Sequence, residues 1–208
     1  MTFTDKGIVL RAAKSGEYGK TLTVLFQTRG KLTISAKGTQ KPNGKMTAAC
    51  EVFCFSEFVV YETSAGGFLS ATQATRLDGF FNVSADYERY VCASLIAELL
   101  DKMSVAGVPY GVIFRLCAYA LKSAEKHENP KIAAAVFAEK LAIIEGFAPN
   151  TIEANEAVAY AYSFVAENDA PKIFSFSLSK KDTDIYMNKV LEILEESADV
   201  HLVSADML

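Results

Sequence analysis

The sequence predicts an α+β protein with two domains, a five-stranded β domain over residues 1–80 and a mainly α-helical domain over residues 81–208 with an embedded β-hairpin. Up to residue 80, short runs rich in Val, Ile, Thr, Phe and Tyr alternate with turn-forming residues, whereas after residue 82 apolar residues recur with helical spacing. The charge changes at the same place: residues 1–80 carry ten basic and six acidic side chains, and residues 81–208 carry eleven and nineteen.

The five predicted strands are separated by turns that contain Gly, Pro, Asn or Ser. In order, they are GIVLRAA, TLTVLF, KLTISAKG, EVFCFSEFVVYET and GFLSATQATR. None of the connections is long enough for a crossover helix, so a small barrel or a sandwich is expected. The fourth run is apolar on both faces, which favours a central strand of a closed barrel.

Four helices are predicted in the second domain, over residues 84–104, 112–126, 130–147 and 183–199. The first is expected to begin at Ser84 as N-cap. Its apolar stripe is Tyr87, Val91, Leu95 and Leu99. The third has Pro130 near its start and Gly146 at its end, the residues that favour those two positions.

A β-hairpin is predicted at about residues 157–178. Apolar residues alternate with smaller or polar ones on both sides of the turn ENDAPK. The apolar positions are Val158, Tyr160, Tyr162 and Phe164, then Phe174, Phe176 and Leu178.

Composition and motifs narrow the function classes. The N-terminus lacks the pattern of a signal peptide and no apolar run approaches the ~18 residues of a membrane span, so a soluble cytoplasmic protein is expected. The four cysteines form no C-x-x-C pair and are expected to be buried thiols.

GKT at residues 19–21 is not a P-loop, because Lys14 stands where the first Gly is required. No catalytic motif is found, so neither an enzyme nor a cofactor is predicted.

The segment GKLTISAKGTQKPNGK, residues 30–45, contains four lysines and no acidic residue in a chain of formal net charge −4. On a strand, Lys31 and Lys37 would face outward on the same side. Lys41 and Lys45 follow in a turn, and Lys20 and Arg29 could border the same face. A cationic face on a small barrel suits single-stranded nucleic acid, although outward-facing strand positions are often Lys or Thr in any case. Tyr18 and Tyr61 are the candidates for base stacking.

The order of these segments resembles that of the bacterial recombination mediator family RecO. The resemblance is carried by GIVLRAAKSGEYGKTLTVLFQTRGKLTISAKGTQKP, then EVFCFSEFVVYE and YERYVCASLIAELLDKM, and by the turn EGFAPN. It covers residues 6 to about 150 and continues more loosely beyond them.

The resemblance implies an N-terminal OB-fold barrel, and a protein that binds single- and double-stranded DNA and anneals complementary strands. It also implies that the protein works with RecR to load RecA onto DNA coated with single-strand-binding protein, whose acidic, aromatic-ended tail it binds. Nucleoid association in the cytoplasm would follow. The alternatives left open are a protein-interaction adaptor with weak DNA binding and an RNA-binding OB-fold protein.

Transferred position by position, the resemblance makes Lys37 the first DNA-contact candidate, followed by Lys31 and Lys41. Gln40 and Asn43 dilute the basic cluster that many relatives carry around the proline, and Thr33 replaces a lysine found in some. Many relatives also have a four-cysteine zinc ribbon. Here Ala154 and Ala157 stand where its first C-x-x-C would be, so a member without zinc is expected, with the hairpin retained.

For the tail of single-strand-binding protein, an apolar groove with a basic rim is expected in the helical domain. The candidates are Arg115, Tyr119 and Lys122 of the second helix.

Overall fold

The structure is a computed structural model that describes residues 1–41, 44–64, 67–104, 106–107 and 111–208, except for the side chain of Phe81. It divides into two compact units. The first comprises Met1–Phe80 and Ser104–Phe114, and the second comprises Phe81–Met103 and Arg115–Leu208. The second unit is therefore not continuous in sequence, in contrast to the predicted domain 81–208.

The first unit is built on a closed five-stranded barrel. Its strands are β1 Thr2–Ser15, β2 Gly19–Phe26, β3 Gly30–Ala36, β4 Phe55–Glu62 and β5 Leu69–Asp78, in the spatial order β1-β2-β3-β5-β4. All neighbours are antiparallel except β3 and β5, which pair in parallel only at Ser35–Ala36 with Ser70–Ala71. The predicted barrel is confirmed, and the sandwich is excluded.

The barrel core comes from residues that alternate along the strands. Val9, Leu22, Val24, Phe26, Ile34 and Phe58 are among its fully or almost fully buried members. Phe26 packs edge-to-face on Phe58 with ring centroids 5.7 Å apart. The strand period of two therefore places apolar side chains inside and leaves polar ones outside.

The fourth strand is shorter than its apolar sequence predicts. Residues 51–54 precede β4, and Phe53 there has a positive φ of 67°. The Phe53 N–H donates to the Val9 carbonyl at 2.8 Å, while the Val9 N–H donates to the Cys54 carbonyl at 3.0 Å. The chain thus bends onto β1 at this point before β4 begins.

The second unit contains five helices. They are α1 Tyr87–Met103, α2 Gly111–Lys126 (whose first turn belongs to the first unit), α3 Pro130–Glu145, α4 Glu156–Glu167 and α5 Lys180–Ala198. The central element is α3, which packs against α1, α4 and α5 and is buried from Ile132 to Ala142. Its Ala-rich sequence is apolar on nearly every side, as expected of a helix surrounded by others. Gly146 ends it in the left-handed conformation (φ 79°), as predicted.

The start of α1 differs from the prediction. The Asp86 carboxylate, and not Ser84, accepts the Arg89 N–H at 3.0 Å and so caps the helix. Ser84 lies in a preceding 3-10 turn, Phe81–Ala85. Tyr87, predicted to lie in the buried stripe, is 66% exposed because it occupies the first helical turn.

The predicted β-hairpin at about residues 157–178 is wrong. Its first half is helix α4, and its second half contains a 3-10 turn, Lys172–Phe174, and no strand. The same residues also fit a helical pattern. The side chains that α4 buries have the spacing i, i+3, i+4, i+7, and they are Val158, Ala161, Tyr162 and Val165. Asn155 supplies the N-cap by accepting the Val158 N–H at 3.0 Å.

All four cysteines are free and buried, as predicted. Burial raises the pKa of the Cys50 and Cys92 thiols to about 12, which keeps them protonated and unreactive. Among the described residues, no helix is both long and apolar enough to cross a membrane.

Candidate nucleic-acid interface

The turn between β1 and β2 and the end of β3 meet at one end of the barrel. Ser15 pairs with Gly19, and Lys20 of β2 pairs with Ala36 at the end of β3. The Gln40 N–H then donates to the Tyr18 carbonyl at 3.1 Å, which fixes the segment after β3 to the β1–β2 turn. Two segments about twenty residues apart in sequence are thereby held together.

Glycine permits this close approach. A Cβ on Gly19 would lie 2.8 Å from the Ser15 carbonyl oxygen, closer than real Cβ atoms come to backbone. After β3, Gly38 has a φ of +74°, which side chains rarely adopt. Both turns therefore have a tightly determined backbone.

Tyr18, Lys37 and Lys41 line an open groove of about 510 Å³ at this end of the barrel, together with Ser15, Glu17, Gly19 and Gly38. We call it the Tyr18 groove. The Lys41 ammonium lies 5.7 Å from the centroid of the Tyr18 ring, within cation–π range. All three side chains are exposed, and within the described residues neither lysine forms an ion pair with a carboxylate.

The other candidate cations lie elsewhere or are engaged. Lys20 forms an ion pair with Glu51 (Nζ–Oε1 2.7 Å), and only 13% of its side chain is exposed. Lys45 is exposed but does not line the groove. The pairing of Lys20 with Glu51 spans 31 residues and has no local sequence signal.

Arg29 and Lys31 lie at the opposite end of β3, some six residues or about 20 Å from Lys37. The Arg29 guanidinium lies 4.0 Å from the centroid of the Phe3 ring, and both residues line a second depression on that side. Lys31 is half-buried, and its carbonyl accepts the Gly107 N–H at 3.0 Å. The six predicted cations thus do not form one continuous face.

The two tyrosines predicted for stacking are also separated. Tyr61 is 45% exposed, but it pairs with Thr2 at the start of β1, whereas Tyr18 follows the end of that 14-residue strand. Of these two tyrosines, Tyr18 is the one that lines a groove with Lys37 and Lys41. Sequence reasoning missed Glu17, the acidic residue in the lining of the same groove. Glu17 is adjacent to Tyr18 in the sequence, and this adjacency could have predicted that it lies in the same groove.

In the second unit, Tyr119 and Lys122 of α2 line a groove of about 400 Å³, which we call the α2 groove. Ser123, Lys126 and His127 continue it, and Pro171 and Phe174 form its other wall. Arg115 is exposed on the same helix but is not part of the lining. Phe114, which precedes Arg115 on α2 but belongs to the first unit, is buried and packs edge-to-face on Phe55 of β4 (centroids 5.9 Å apart), so it is not available to a ligand.

His127 is held in place at the end of the α2 groove. Its Nδ1 accepts the Asn129 N–H at 3.0 Å, so the proton of the neutral ring lies on Nε2, which then donates to the Phe176 carbonyl at 3.2 Å. It is half-buried rather than a freely exposed surface histidine. The groove therefore combines an aromatic lining, a rigid histidine and two lysines.

Comparison with known families gives two matches that follow each other along the chain. The family model Recombination protein O N terminal matches residues 1–80, and Recombination protein O C terminal matches residues 84–153. The chain belongs to the RecO family.

Individual RecO-family relatives agree with this. Proteins named DNA repair protein RecO are similar to this chain: one from Desulforamulus reducens is 38% identical over 114 residues (55% of this chain, 44% of the relative), and one from Bacillus subtilis is 27% identical over 144 residues (69% and 56%). A third, from Shouchella clausii, is 28% identical over 142 residues (68% and 55%). The chain spans about half the length of the curated relatives it matches.

The positions at which this RecO-family chain was expected to depart from its relatives have distinct settings. Thr33 is exposed and pairs with Thr23 on β2, and the backbone of Gln40 holds the Tyr18 turn. Asn43 lies outside the described residues. Ala154 precedes α4, and Ala157 lies in its first turn. No cluster of three or more His, Cys, Asp or Glu side chains suited to a metal ion occurs within the part of the chain that the structure describes.

Proposed function

We propose that the chain is a DNA repair and recombination mediator that binds single- and double-stranded DNA at the Tyr18 groove and anneals complementary strands. The observation that supports this most directly is the exposed pair Lys37 and Lys41, with no ion-pair partner among the described residues, beside Tyr18 on a RecO-family barrel. Lysine contacts to phosphates release condensed counterions, which gives affinity that does not depend on sequence. Such affinity suits annealing, because any pair of complementary strands must be accepted.

The proposal requires neither catalysis nor a cofactor. Annealing releases free energy through base pairing, so a protein needs only to bring two phosphate backbones together and reduce their repulsion. The second unit contributes little to DNA affinity in this scheme, since residues 81–208 carry nineteen acidic and eleven basic residues and repel phosphate.

For the second unit we propose a protein partner, the acidic, aromatic-ended tail of single-strand-binding protein, at the α2 groove. Lys122 and Lys126 would attract the carboxylates, and the wall of Tyr119 and Phe174 would receive the aromatic ring. Arg115, one helical turn before Tyr119, could extend the basic rim. Cooperation with RecR in loading RecA belongs to the same proposal.

An annealing assay on bare and on protein-coated complementary oligonucleotides tests both sites. The double variant Lys37→Glu/Lys41→Glu should slow annealing of both substrates and lower the slope of log affinity against log salt by about 2, one for each phosphate contact. Lys122→Glu should slow annealing only on strands coated with single-strand-binding protein. Lys181→Glu, an exposed lysine of α5, is the control for a change of net charge.

If the affinity of the wild-type chain for single-stranded DNA did not change with salt concentration, the DNA-binding proposal would be contradicted. Retained affinity for the tail peptide would then favour a protein-interaction adaptor. Stronger binding to an RNA oligonucleotide of the same sequence would favour an RNA-binding barrel.

A further inference from the structure

The backbone of the turn that carries Tyr18 is held in place. The Tyr18 carbonyl accepts the Gln40 N–H, and Gly19 pairs with Ser15 across the turn, so the backbone around Tyr18 is held on both sides. The side chain remains 43% exposed. An exposed aromatic ring on a backbone that is already held loses less conformational entropy when a ligand stacks on it than a ring on a flexible loop.

The surroundings of the ring suit a nucleotide. Lys41 lies 5.7 Å from the ring centroid, and Lys37 lines the same groove. The groove volume of about 510 Å³ falls within the range of roughly 300–1,000 Å³ that is usual for small-ligand pockets. An aromatic ring beside two cations is the combination that receives a base and its phosphate together.

We propose that the Tyr18 groove is a subsite for one unpaired nucleotide, whose base stacks on Tyr18 while Lys37 and Lys41 hold its phosphate. This inference rests on the proposed function, in which the barrel binds DNA. It makes Tyr18 the residue that determines the preference for single strands. A base within a duplex is already stacked on both faces, so the duplex gains only the lysine contacts.

The Glu17 side chain in the same groove repels phosphate. Its carboxylate is an acidic group in the lining of the groove. The effect of this neighbouring carboxylate on the Tyr18 hydroxyl, with a smaller contribution from burial, raises the pKa of Tyr18 above its ordinary value. Glu17 weakens the binding of both single and double strands, because its repulsion acts on any phosphate.

The test uses the full chain and measures fluorescence anisotropy with a labelled single-stranded oligonucleotide and with a hairpin duplex. Tyr18→Ala should weaken binding of the single strand about tenfold and leave the duplex within about twofold. Tyr18→Phe should bind the single strand like the wild type, since it keeps the ring. Glu17→Gln should strengthen both complexes. Tyr61→Ala removes a similarly exposed tyrosine of β4, which pairs with the opposite end of β1, and should change neither.

A base analogue reports stacking independently of affinity. An oligonucleotide that carries 2-aminopurine should lose fluorescence on saturation with the wild type and with Tyr18→Phe, but not with Tyr18→Ala. If Tyr18→Ala binds the single strand as tightly as the wild type, or weakens both substrates equally, the subsite is overturned. If the subsite is overturned in this way but Lys37→Glu/Lys41→Glu still loses DNA binding, the proposed DNA-binding function remains supported. When the lysine variant also binds normally, both fail.

Discussion

Glu139 lies near the middle of α3 with its side chain fully buried. The Tyr186 hydroxyl donates to Oε2, whereas Oε1 has no hydrogen-bond partner within the described residues. Burial raises the pKa of Glu139 to about 8, against the smaller lowering effects of the Tyr186 hydrogen bond and the nearby Lys140 charge. The carboxyl is therefore mostly protonated at neutral pH, which avoids an unpaired buried charge.

This carboxyl makes stability depend on pH in a defined direction. Its folded pKa of about 8 exceeds the ordinary value of 4.5, so its contribution is full below about pH 4.5 and is lost as the pH rises through about 8. Within that window the free energy of unfolding should fall by up to about 1.4 kcal/mol per pH unit. Glu139→Gln should remove this fall, as measured by urea unfolding at a series of pH values.

The acidic range provides the control. Burial acts to raise the pKa of Glu98, but hydrogen bonds from Lys102 and from the Val203 and Ser204 N–H groups outweigh it and lower the pKa to about 2. Its contribution is present above pH 4.5 and is lost as the pH falls towards 2. Glu98→Gln should therefore flatten only the acidic limb. An unchanged slope between pH 5 and 8 in Glu139→Gln would contradict the assignment.

At the scale of single elements, α4 depends on its first turn. The Asn155 side-chain oxygen accepts the Val158 N–H, and its amide donates to Asp182 at 2.9 Å, which connects the start of α4 to the first turn of α5. The same carboxylate accepts the Ser179 hydroxyl at 2.6 Å. One asparagine thus satisfies a helix end and bridges two helices.

Asn155→Ala should lower the free energy of unfolding by about 1 kcal/mol, the usual cost of an absent N-cap. Asn155→Ser should recover most of that loss, because serine also accepts from the helix N–H while it does not reach Asp182. Thermal or urea unfolding measures both. A loss in Asn155→Ser as large as in Asn155→Ala would mean that the bridge to Asp182, and not the cap, stabilises α4.

At the scale of the whole molecule, the chain returns to its first unit after α1. The segment Ser104–Phe114 belongs to the barrel unit, where Ala106 forms a parallel bridge with Lys31 and Phe114 packs on Phe55. The β3–β5 pairing covers only two residues on each strand, so this segment occupies part of the edge that β5 leaves open along β3. The barrel unit is thus completed by residues from outside 1–80.

Phe114→Ala should destabilise the barrel unit by about 3 kcal/mol, the lower end of the range for removal of a buried phenylalanine. Amide exchange should accelerate around Phe55 in β4, which identifies the barrel as the affected part. Val112→Ala, at a 60% exposed position in the same turn of α2, should leave stability unchanged within about 0.5 kcal/mol. Unchanged exchange near Phe55 in Phe114→Ala would show that the barrel does not depend on this segment.

Most of the fold could be predicted because its signals are local. The alternation in TLTVLF, the apolar repeat of α1 and Gly146 after α3 each depend on neighbours within a few residues. The hairpin prediction failed where two periods coincide: Val158 and Tyr162 fit both an alternating strand and the i, i+4 spacing of a helix. Alanines at positions 157, 159, 161 and 166 favour the helix, and burial against α3 agrees with it.

The two-part organisation, the barrel strands, the positions of the main helices and the family can all be predicted from the order of residues, because hydrophobic period and residue order are properties of the linear chain. Which lysines share a site depends on how the strands pair in the folded protein. The pairing of β2 with β3 and the Gln40–Tyr18 hydrogen bond bring Lys37 and Lys41 to Tyr18, whereas Lys20 pairs with Glu51, and Arg29 and Lys31 lie at the far end of β3. These placements depend on strand register and on contacts tens of residues apart, and a local pattern contains neither.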